Sequence, residues 1–202
     1  MHRLKIYFIW CCLAAAFIAC DKKENASPTA NQDYIPTTAG STWSYGGSMP
    51  YILSATGQTK EINGKTYFEL ETKQGTNISK SYINHEKSVY TAVGLVPNLG
   101  DVEVMLLKEE TPVGKPWEQT TNFNGVDTKL TFTILEKDVS KVVEGKTYQK
   151  VIHVKMTVNY TFMGVDLGSN LASELYFAKG VGLILSDLGT YGQSALLNYD
   201  VK

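Results

Sequence analysis

Two of the three histidines, His85 and His153, are the first residues to consider for chemistry, because imidazole exchanges protons near neutral pH. His85 lies in residues 84–87 (Asn-His-Glu-Lys), whose composition indicates a solvated turn. His153 falls on the polar face of a predicted strand, beside Lys155. A nucleophile needs a base beside it, and no serine-elbow or zinc-protease motif occurs in the chain. Neither histidine is therefore predicted to be catalytic.

A Gly-Lys-Thr triplet occurs twice, at residues 64–66 and 145–147, and such a triplet ends the phosphate loop of nucleotide-binding proteins. The upstream glycine of that loop is absent both times, and a strand rather than a helix is predicted to follow. Both triplets are interpreted as hairpin turns, with Gly64 and Gly145 at positive φ. No cofactor is predicted.

The acidic residues are scattered, as at Asp101, Glu103, Asp127, Asp166 and Asp187. None follows the spacing of a calcium loop, so no metal site is predicted. Two distant carboxylates could still be brought together to build a glycosidase-like hydrolase. That hydrolase is the alternative to the preferred expectation, which is a protein that is not an enzyme.

Trp43 and Trp117 allow two interpretations. They could be aromatic platforms that contact a glycan or an apolar ligand, or each could close the start of its structural unit as a core residue. Because they follow the same short motif in the two halves of the chain, the sequence favours the core role. We expect both indoles to be largely buried.

A degenerate repeat organises the chain. Residues 64–67 and 145–148 both read Gly-Lys-Thr-Tyr, and residues 39–43 (Ala-Gly-Ser-Thr-Trp) correspond to residues 113–117 (Val-Gly-Lys-Pro-Trp). Landmarks in the same order indicate a tandem duplication of one β unit. Hairpin punctuation, in which glycine often precedes a β-forming run, is the competing explanation.

The patterns between the turns are those of an all-β chain. Apolar and polar residues alternate over residues 126–136 and 151–162, with Ile152 and Val154 on the inner face together with Tyr148. The predicted fold is a single domain, residues 34–202, of antiparallel strands in two similar tandem units, about 34–95 and 108–185. A curved sheet, an incomplete barrel and a sandwich all satisfy this pattern.

Two segments of the domain depart from the strand pattern. Residues 109–116 contain two prolines, which favour a connection between the two units over a central strand. No stretch after the leader has a convincing helical period, and residues 167–176 are the least poor candidate for a helix.

The N-terminus predicts export and lipidation. Residues 1–19 combine a short positive start with an uncharged apolar run that is too short to span a bilayer, as in a signal peptide. The run ends at Cys20, and charge begins on the next residue, which resembles the lipobox of bacterial lipoproteins. We expect a fatty-acyl anchor such as palmitate on Cys20, followed by a disordered tether over residues 20–33. An ordinary secretory signal with an incidental cysteine is the alternative.

Three blocks resemble a family of Bacteroidota envelope lipoproteins of unknown function. They are residues 33–45 (Asp-Tyr-Ile-Pro-Thr-Thr-Ala-Gly-Ser-Thr-Trp-Ser-Tyr), 112–117 (Pro-Val-Gly-Lys-Pro-Trp) and 176–184 (Tyr-Phe-Ala-Lys-Gly-Val-Gly-Leu-Ile). The resemblance implies a β-rich protein attached by lipid to the outer membrane, on its periplasmic or surface-exposed face. It carries no catalytic residue.

Composition narrows the range of partners. The formal net charge is −1, and Arg3, in the leader, is the only arginine. Nucleic-acid binding needs a basic patch, so no nucleic acid is predicted as a partner. The predicted function is a non-catalytic, lipid-anchored binding or assembly module for an unknown protein, glycan or lipid.

Overall fold

A computed structural model describes residues 31–94, 102–123, 126–168 and 171–202 of the protein. These residues form one antiparallel sheet of 13 strands, which confirms the predicted all-β antiparallel class. A single 3-10 turn at Gly189–Tyr191 is the only helical element among them. Over these same ranges, no helix has the length and apolarity needed to cross a membrane.

Many of the strands are separated by turns at the glycines that the sequence indicated. Their bounds are β1 Thr42–Gly47, β2 Tyr51–Ile62, β3 Lys65–Gln74, β4 Asn77–Glu86, β5 Val89–Val93, β6 Val104–Lys108, β7 Pro116–Phe123, β8 Val126–Val143, β9 Lys146–Phe162, β10 Val165–Asp166, β11 Leu171–Ala178, β12 Gly182–Asp187 and β13 Gln193–Asp200.

The sheet curls into a nearly closed barrel with one seam. The strand order is β6-β5-β4-β3-β2-β1-β13-β12-β11-β9-β8-β7, with β10 paired to β9. The first and last strands of this order, β6 and β7, face each other across the seam. Between them lies the proline-containing connection that the sequence placed at residues 109–116, and Pro116 is the first residue of β7, where a strand tolerates proline.

The strand order divides into two meanders of six strands each, β1–β6 and β7–β13 without the two-residue β10. Strands β3 and β9, which carry the repeated Lys-Thr-Tyr, are each third in their meander. This arrangement is the one expected of two similar tandem units. The meanders extend beyond the predicted unit limits, because β6 and β13 complete them, and superposition of residues 34–95 on 108–185 stays a prediction.

The repeated glycines adopt the predicted turn conformation. Asn63 and Gly64 have φ of 51° and 74°, and Glu144 and Gly145 have φ of 49° and 74°. Positive φ at both central residues is the mark of the type I′ hairpin turn. The prediction of positive φ at Gly64 and Gly145 is confirmed.

A bulge in β9 places side chains on the opposite sheet face from the one predicted. Lys150 has φ of 52°, and the register against β8 shifts between Val139 and Lys141. Because one extra residue reverses the side-chain alternation, Tyr148 packs with one core cluster while Ile152 packs with another. The prediction that Tyr148 shares a face with Ile152 and Val154 was therefore wrong.

The described part of residues 167–176, the least poor helix candidate, forms no helix, in agreement with the weak helical period of its sequence. Strand β11 occupies Leu171–Ala178 and pairs along its whole length with β9. Its apolar side chains Leu175 and Phe177 face Val154 and Ile152 across that ladder. Tertiary pairing decides the conformation of a segment whose local pattern is weak.

Candidate functional site

His153 lies at the centre of a polar cluster, not on an exposed polar face as the sequence predicted. The residue is only 8% exposed, because β9 is buried on both faces at this point. Its ring nitrogens contact two carboxylates: Nδ1 is 3.1 Å from Glu136 Oε2, and Nε2 is 3.2 Å from Glu174 Oε2. The sequence analysis missed both glutamates as partners.

Register brings the members of this cluster together. Glu136 on β8 and Tyr176 on β11 are the direct cross-strand neighbours of His153 on β9. The imidazole stacks on the Tyr176 ring at 4.1 Å between centroids, and the Tyr176 hydroxyl donates to Glu174 Oε2 over 3.0 Å. Burial, with a further contribution from Glu174, raises the pKa of Tyr176 to about 12. Lys141 Nζ lies 4.1 Å from the centroid of the same ring, which is cation–π geometry.

A second polar cluster surrounds Glu69 in the first meander. Glu69 is 7% exposed and accepts hydrogen bonds from Lys80 Nζ at 3.1 Å, Thr56 Oγ1 at 3.1 Å and Tyr82 OH at 3.3 Å. The Lys80 hydrogen bond is the main reason that the pKa of Glu69 is lowered. Lys60 Nζ lies 5.2 Å from the centroid of the Tyr82 ring.

The two clusters occupy equivalent places in the two meanders. Glu69 is the direct cross-strand neighbour of Tyr82, as His153 is of Tyr176. The residue two positions before each tyrosine contacts the central group: Lys80 in the first cluster, Glu174 in the second. A lysine lies over each tyrosine ring.

Acidic and basic residue types exchange places between these clusters. A carboxylate contacted by a lysine stands at the centre of the first, and an imidazole contacted by two carboxylates stands at the centre of the second. Positions are thus retained between the meanders while the residue types differ. This correspondence supports the tandem-repeat interpretation independently of the Gly-Lys-Thr-Tyr motif.

The geometry of the His153 cluster suits a structural brace better than a reaction centre. The imidazole fills the space between Glu136 and Glu174, where a glycosidase would hold its substrate. The Tyr176 hydroxyl is engaged by the cluster itself. No group of three His, Cys, Asp or Glu side chains able to hold a metal ion is found in the part of the chain that the structure describes. The cluster joins β8, β9 and β11.

Replacing His153 by leucine tests the brace. The substitution removes the two hydrogen bonds of a buried imidazole, each worth about 0.5–1.5 kcal/mol, so we expect a loss of about 1–3 kcal/mol and a melting temperature lower by about 2–12 °C. Differential scanning calorimetry measures the change. Lys129→Gln is the control, since it breaks an exposed ion pair with Glu118 and should change stability by less than about 1 kcal/mol. Equal melting temperatures for the two variants would contradict the brace.

His85 lies in strand β4, not in a solvated turn as predicted; the turn follows at residues 87–88. Its ring stacks on Tyr90 with 3.9 Å between centroids, and Nδ1 is 3.3 Å from Asp33 Oδ1. The backbone N–H of Tyr34 donates to Tyr90 OH over 3.0 Å. His85 and Tyr90 therefore hold the chain where it enters the barrel.

Both tryptophans are buried as predicted, with 3% of Trp43 and 6% of Trp117 exposed. Trp43 Nε1 donates to the Val181 carbonyl over 2.6 Å, and Trp117 Nε1 donates to the Met105 carbonyl over 2.9 Å. Each indole thus packs in the core and satisfies its one donor there. Ligand contact by either residue stays a prediction.

Side chains of β7 close the seam of the barrel. Besides the Trp117 hydrogen bond, Gln119 Oε1 accepts from the Met105 N–H over 2.9 Å, and Gln119 Nε2 donates to the Glu103 carbonyl. The amide of Gln119 thereby makes two hydrogen bonds to the backbone at the start of β6, as a neighbouring peptide group would. The equivalent junction, between β1 and β13, is a backbone ladder. Nothing in the local sequence marked Gln119 for this role.

The acidic residues singled out from the sequence contact different neighbours. Within the described ranges, Glu103 contacts Asn63, Asp127 contacts Asn122, and Asp187 contacts the N–H of Gly189. Asp101 and the predicted lipidation residue Cys20 lie outside the described residues, as do the signal peptide and most of the tether. Of the tether region, the backbone carbonyl of Asp33 accepts a hydrogen bond from the Gly180 N–H over 2.8 Å.

The described residues thus form an antiparallel barrel of two meanders, each with a polar cluster around one buried residue. No protein-family model matches the sequence, and no curated protein is similar to it at a significant level. The fold is similar to that of a candidate lipoprotein from Parabacteroides distasonis ATCC 8503, with a TM-score of 0.51 and 9% identity over 84% of this chain and 99% of the other.

A second solved structure has a weaker likeness. It is a candidate exported protein with a YmcC-like fold from Bacteroides fragilis NCTC 9343, with a TM-score of 0.47 and 8% identity over 85% of this chain and 99% of the other.

Proposed function

We propose that the protein is a non-catalytic, lipid-anchored protein of the bacterial envelope that serves as a binding or assembly module. The observation that carries the proposal is the boundary at Cys20, where an uncharged apolar run stops and charged residues begin. The similarity in fold to the candidate lipoprotein of P. distasonis supports it. The outer membrane is the proposed site of attachment, with the acyl chain on Cys20.

The polar clusters support the non-catalytic part of the proposal. A hydrolase built from two carboxylates needs a gap of about 5–9 Å between them for water or substrate. Here Glu136 and Glu174 are both in contact with the same imidazole, so that ring occupies the gap. Glu69 accepts three hydrogen bonds from its own neighbours. Side chains whose polar atoms are bonded to neighbouring strands in this way hold those strands together.

The anchor is tested by Cys20→Ala. Because the thiol of Cys20 is the proposed acceptor of the acyl group, the variant should leave the membrane fraction and lose incorporation of a radioactive fatty acid almost completely. Fractionation of the bacterial envelope and autoradiography measure the two outcomes.

Cys11→Ala and Cys12→Ala are the matched controls, since both residues lie within the predicted signal peptide. Both control variants should be labelled as the wild type is. Unchanged labelling and membrane association of Cys20→Ala would overturn the assignment of the lipidation site.

A further inference from the structure

The hydrogen bonds of the His153 cluster need one proton more than a neutral imidazole provides. Ring nitrogen Nδ1 lies 3.1 Å from Glu136 Oε2, and Nε2 lies 3.2 Å from Glu174 Oε2. An ionised carboxylate only accepts hydrogen bonds, and a neutral imidazole donates from one nitrogen alone. With a neutral ring, one contact would therefore set a nitrogen lone pair against a carboxylate oxygen. Both contacts are hydrogen bonds only if the cluster holds a further proton.

The ring is the better place for that proton than either glutamate. The side chains of Glu136 and Glu174 are 56% and 44% exposed, so water solvates their charges. A solvated glutamic acid gives up its proton near about pH 4, whereas free imidazole does so near about pH 6.5. The imidazole is thus the stronger base, and it lies between two anions. An imidazolium in this position donates one hydrogen bond to each carboxylate.

Other charged side chains surround the ring and its partners. Lys155 and Asp187 are the cross-strand neighbours of Glu174 on its two sides. Ionisable groups from four strands face the imidazole or its partners, namely Glu136 and Lys141 from β8, Lys155 from β9, Glu174 and Tyr176 from β11, and Asp187 from β12. The two lysines and three carboxylates together carry one negative charge, which an imidazolium at His153 neutralises.

We propose that the His153 cluster is a proton-dependent joint of the second meander. At neutral pH the imidazole carries both ring protons and links Glu136 on β8 to Glu174 on β11 across β9. When the pH rises and one proton leaves, one of these side-chain links is lost. Because the proton stabilises only the folded state, its contribution is fully present below the value of about 6.5 that imidazole has in an unfolded chain, and it is lost as the pH rises.

The equivalent cluster of the first meander keeps its charges over the same pH range. Its central pair is Glu69 and Lys80, with Nζ 3.0 Å from Oε1. The hydrogen bond between them lowers the pKa of Glu69 and raises the pKa of Lys80. Both groups therefore stay charged between about pH 5 and pH 9. The first meander thus serves as an internal reference for the second.

Nitrogen-15 NMR of the full chain, labelled at histidine, reads the charge of the ring. The signals of His153 are identified by their loss in His153→Gln. We expect both ring nitrogens of His153 to have the chemical shifts of protonated nitrogens at pH 7. A spectrum in which one of them is an unprotonated, pyridine-like nitrogen would overturn the proposal, whether the proton lies on a glutamate or is absent.

Hydrogen exchange, corrected for the intrinsic pH dependence of amide exchange, reads the loosening. Between about pH 6 and pH 9, where imidazoles titrate, the amides of Leu171–Ala178 in β11 should lose protection about fivefold, the effect of one lost hydrogen bond. The amides of Lys65–Gln74 in β3 should keep theirs. Equal changes in the two segments, or no change in either, would contradict a joint that acts on the second meander.

Glu174→Gln separates the effect of the proton from that of the contact. The glutamine amide can donate to the ring nitrogen that Glu174 contacted, so a neutral imidazole then satisfies both sides of the cluster. We expect this variant to fold, to show one pyridine-like nitrogen at pH 7, and to keep the protection of Leu171–Ala178 constant between pH 6 and pH 9.

Glu118→Gln is the matched control, since it removes a carboxylate of similar exposure, 52% against 44% for Glu174. This control should show the NMR spectrum and the pH response of the wild type. A Glu174→Gln protein that keeps the wild-type pH response would show that the response arises outside the His153 cluster, and the proposal would then fail.

Discussion

Truncation of Trp117 to alanine is expected to lower the melting temperature by about 6–20 °C. The indole is buried, stacks on Phe132 with 5.3 Å between centroids, and packs in the cluster that includes Ile134. Removing so large a buried side chain costs about 3–5 kcal/mol, against a total stability of about 5–15 kcal/mol. For a domain of this size, each kcal/mol corresponds to about 2–4 °C.

Trp117 should also matter locally, because it closes the seam. Strand β7 has a backbone partner on one side only, and the Trp117 hydrogen bond to Met105 is one of three that tie it to Glu103 and Met105, at the start of β6. We therefore expect Trp117→Ala to accelerate amide exchange in Val104–Lys108 beyond the global effect. Hydrogen-exchange mass spectrometry resolves that segment from the rest of the sheet.

Two further variants distinguish the contribution of Trp117 to core packing from its contribution to closing the seam. Trp43→Ala removes an equally buried indole from β1, which is paired on both sides, and should destabilise the whole barrel without selective exchange in β6. Trp117→Phe keeps an aromatic ring but loses the donor, and should recover part of the stability while β6 still exchanges quickly. A stable, soluble Trp117→Ala protein that had lost binding of a glycan would instead assign the residue to a ligand site.

Local features of the fold could be predicted from the sequence. The conformation of Gly64 and Gly145 depends on a two-residue turn, and Asn63 directly before Gly64 is itself a signal for it. Burial of Trp43 and Trp117 followed from their matched positions. The turn contacts are local, whereas the tryptophans contact distant residues such as Val181 and Met105, so for them the repeated motif indicated burial but not the partners.

The polar clusters could not be predicted, because their members are distant in the chain. Glu136 and Glu174 lie 17 and 21 residues from His153. Whether these side chains meet depends on the register shifts in β8 and on the bulge at Lys150. An alternation pattern places His153 on a polar face but carries no information on what covers that face.

Alkaline pH should unfold the protein cooperatively between about pH 10 and pH 12. Seven tyrosines have pKa values raised chiefly by burial, namely Tyr34, Tyr45, Tyr51, Tyr67, Tyr90, Tyr148 and Tyr176. For Tyr34, Tyr51, Tyr67 and Tyr176 the pKa rises to about 12. The phenol is neutral when protonated, so burial favours the protonated form.

The direction in which pH changes the stability follows from the linkage between proton binding and folding. A folded-state pKa above the unfolded value of about 10 contributes stability that is fully present below pH 10 and is lost as the pH rises through the folded pKa. Each tyrosine can remove at most about 1.4 kcal/mol per pH unit. Because the unfolded phenol is only half ionised at pH 10, each tyrosine removes at most about 1 kcal/mol between pH 10 and pH 11, and seven together at most about 7 kcal/mol, which is comparable with the whole stability of a domain.

The measurement follows tyrosinate absorbance and far-ultraviolet circular dichroism through one titration. We expect both signals to change together and more steeply than a single ionisation allows, since buried phenols ionise only as the barrel opens. Tyr148→Phe is the matched variant: its hydroxyl is buried and has no hydrogen-bond partner in the described part of the protein. Removing it should leave stability at pH 7 unchanged or slightly higher and move the alkaline midpoint upward. Gradual, independent ionisation of the tyrosines with the circular dichroism unchanged up to pH 12 would show that burial does not hold these phenols neutral.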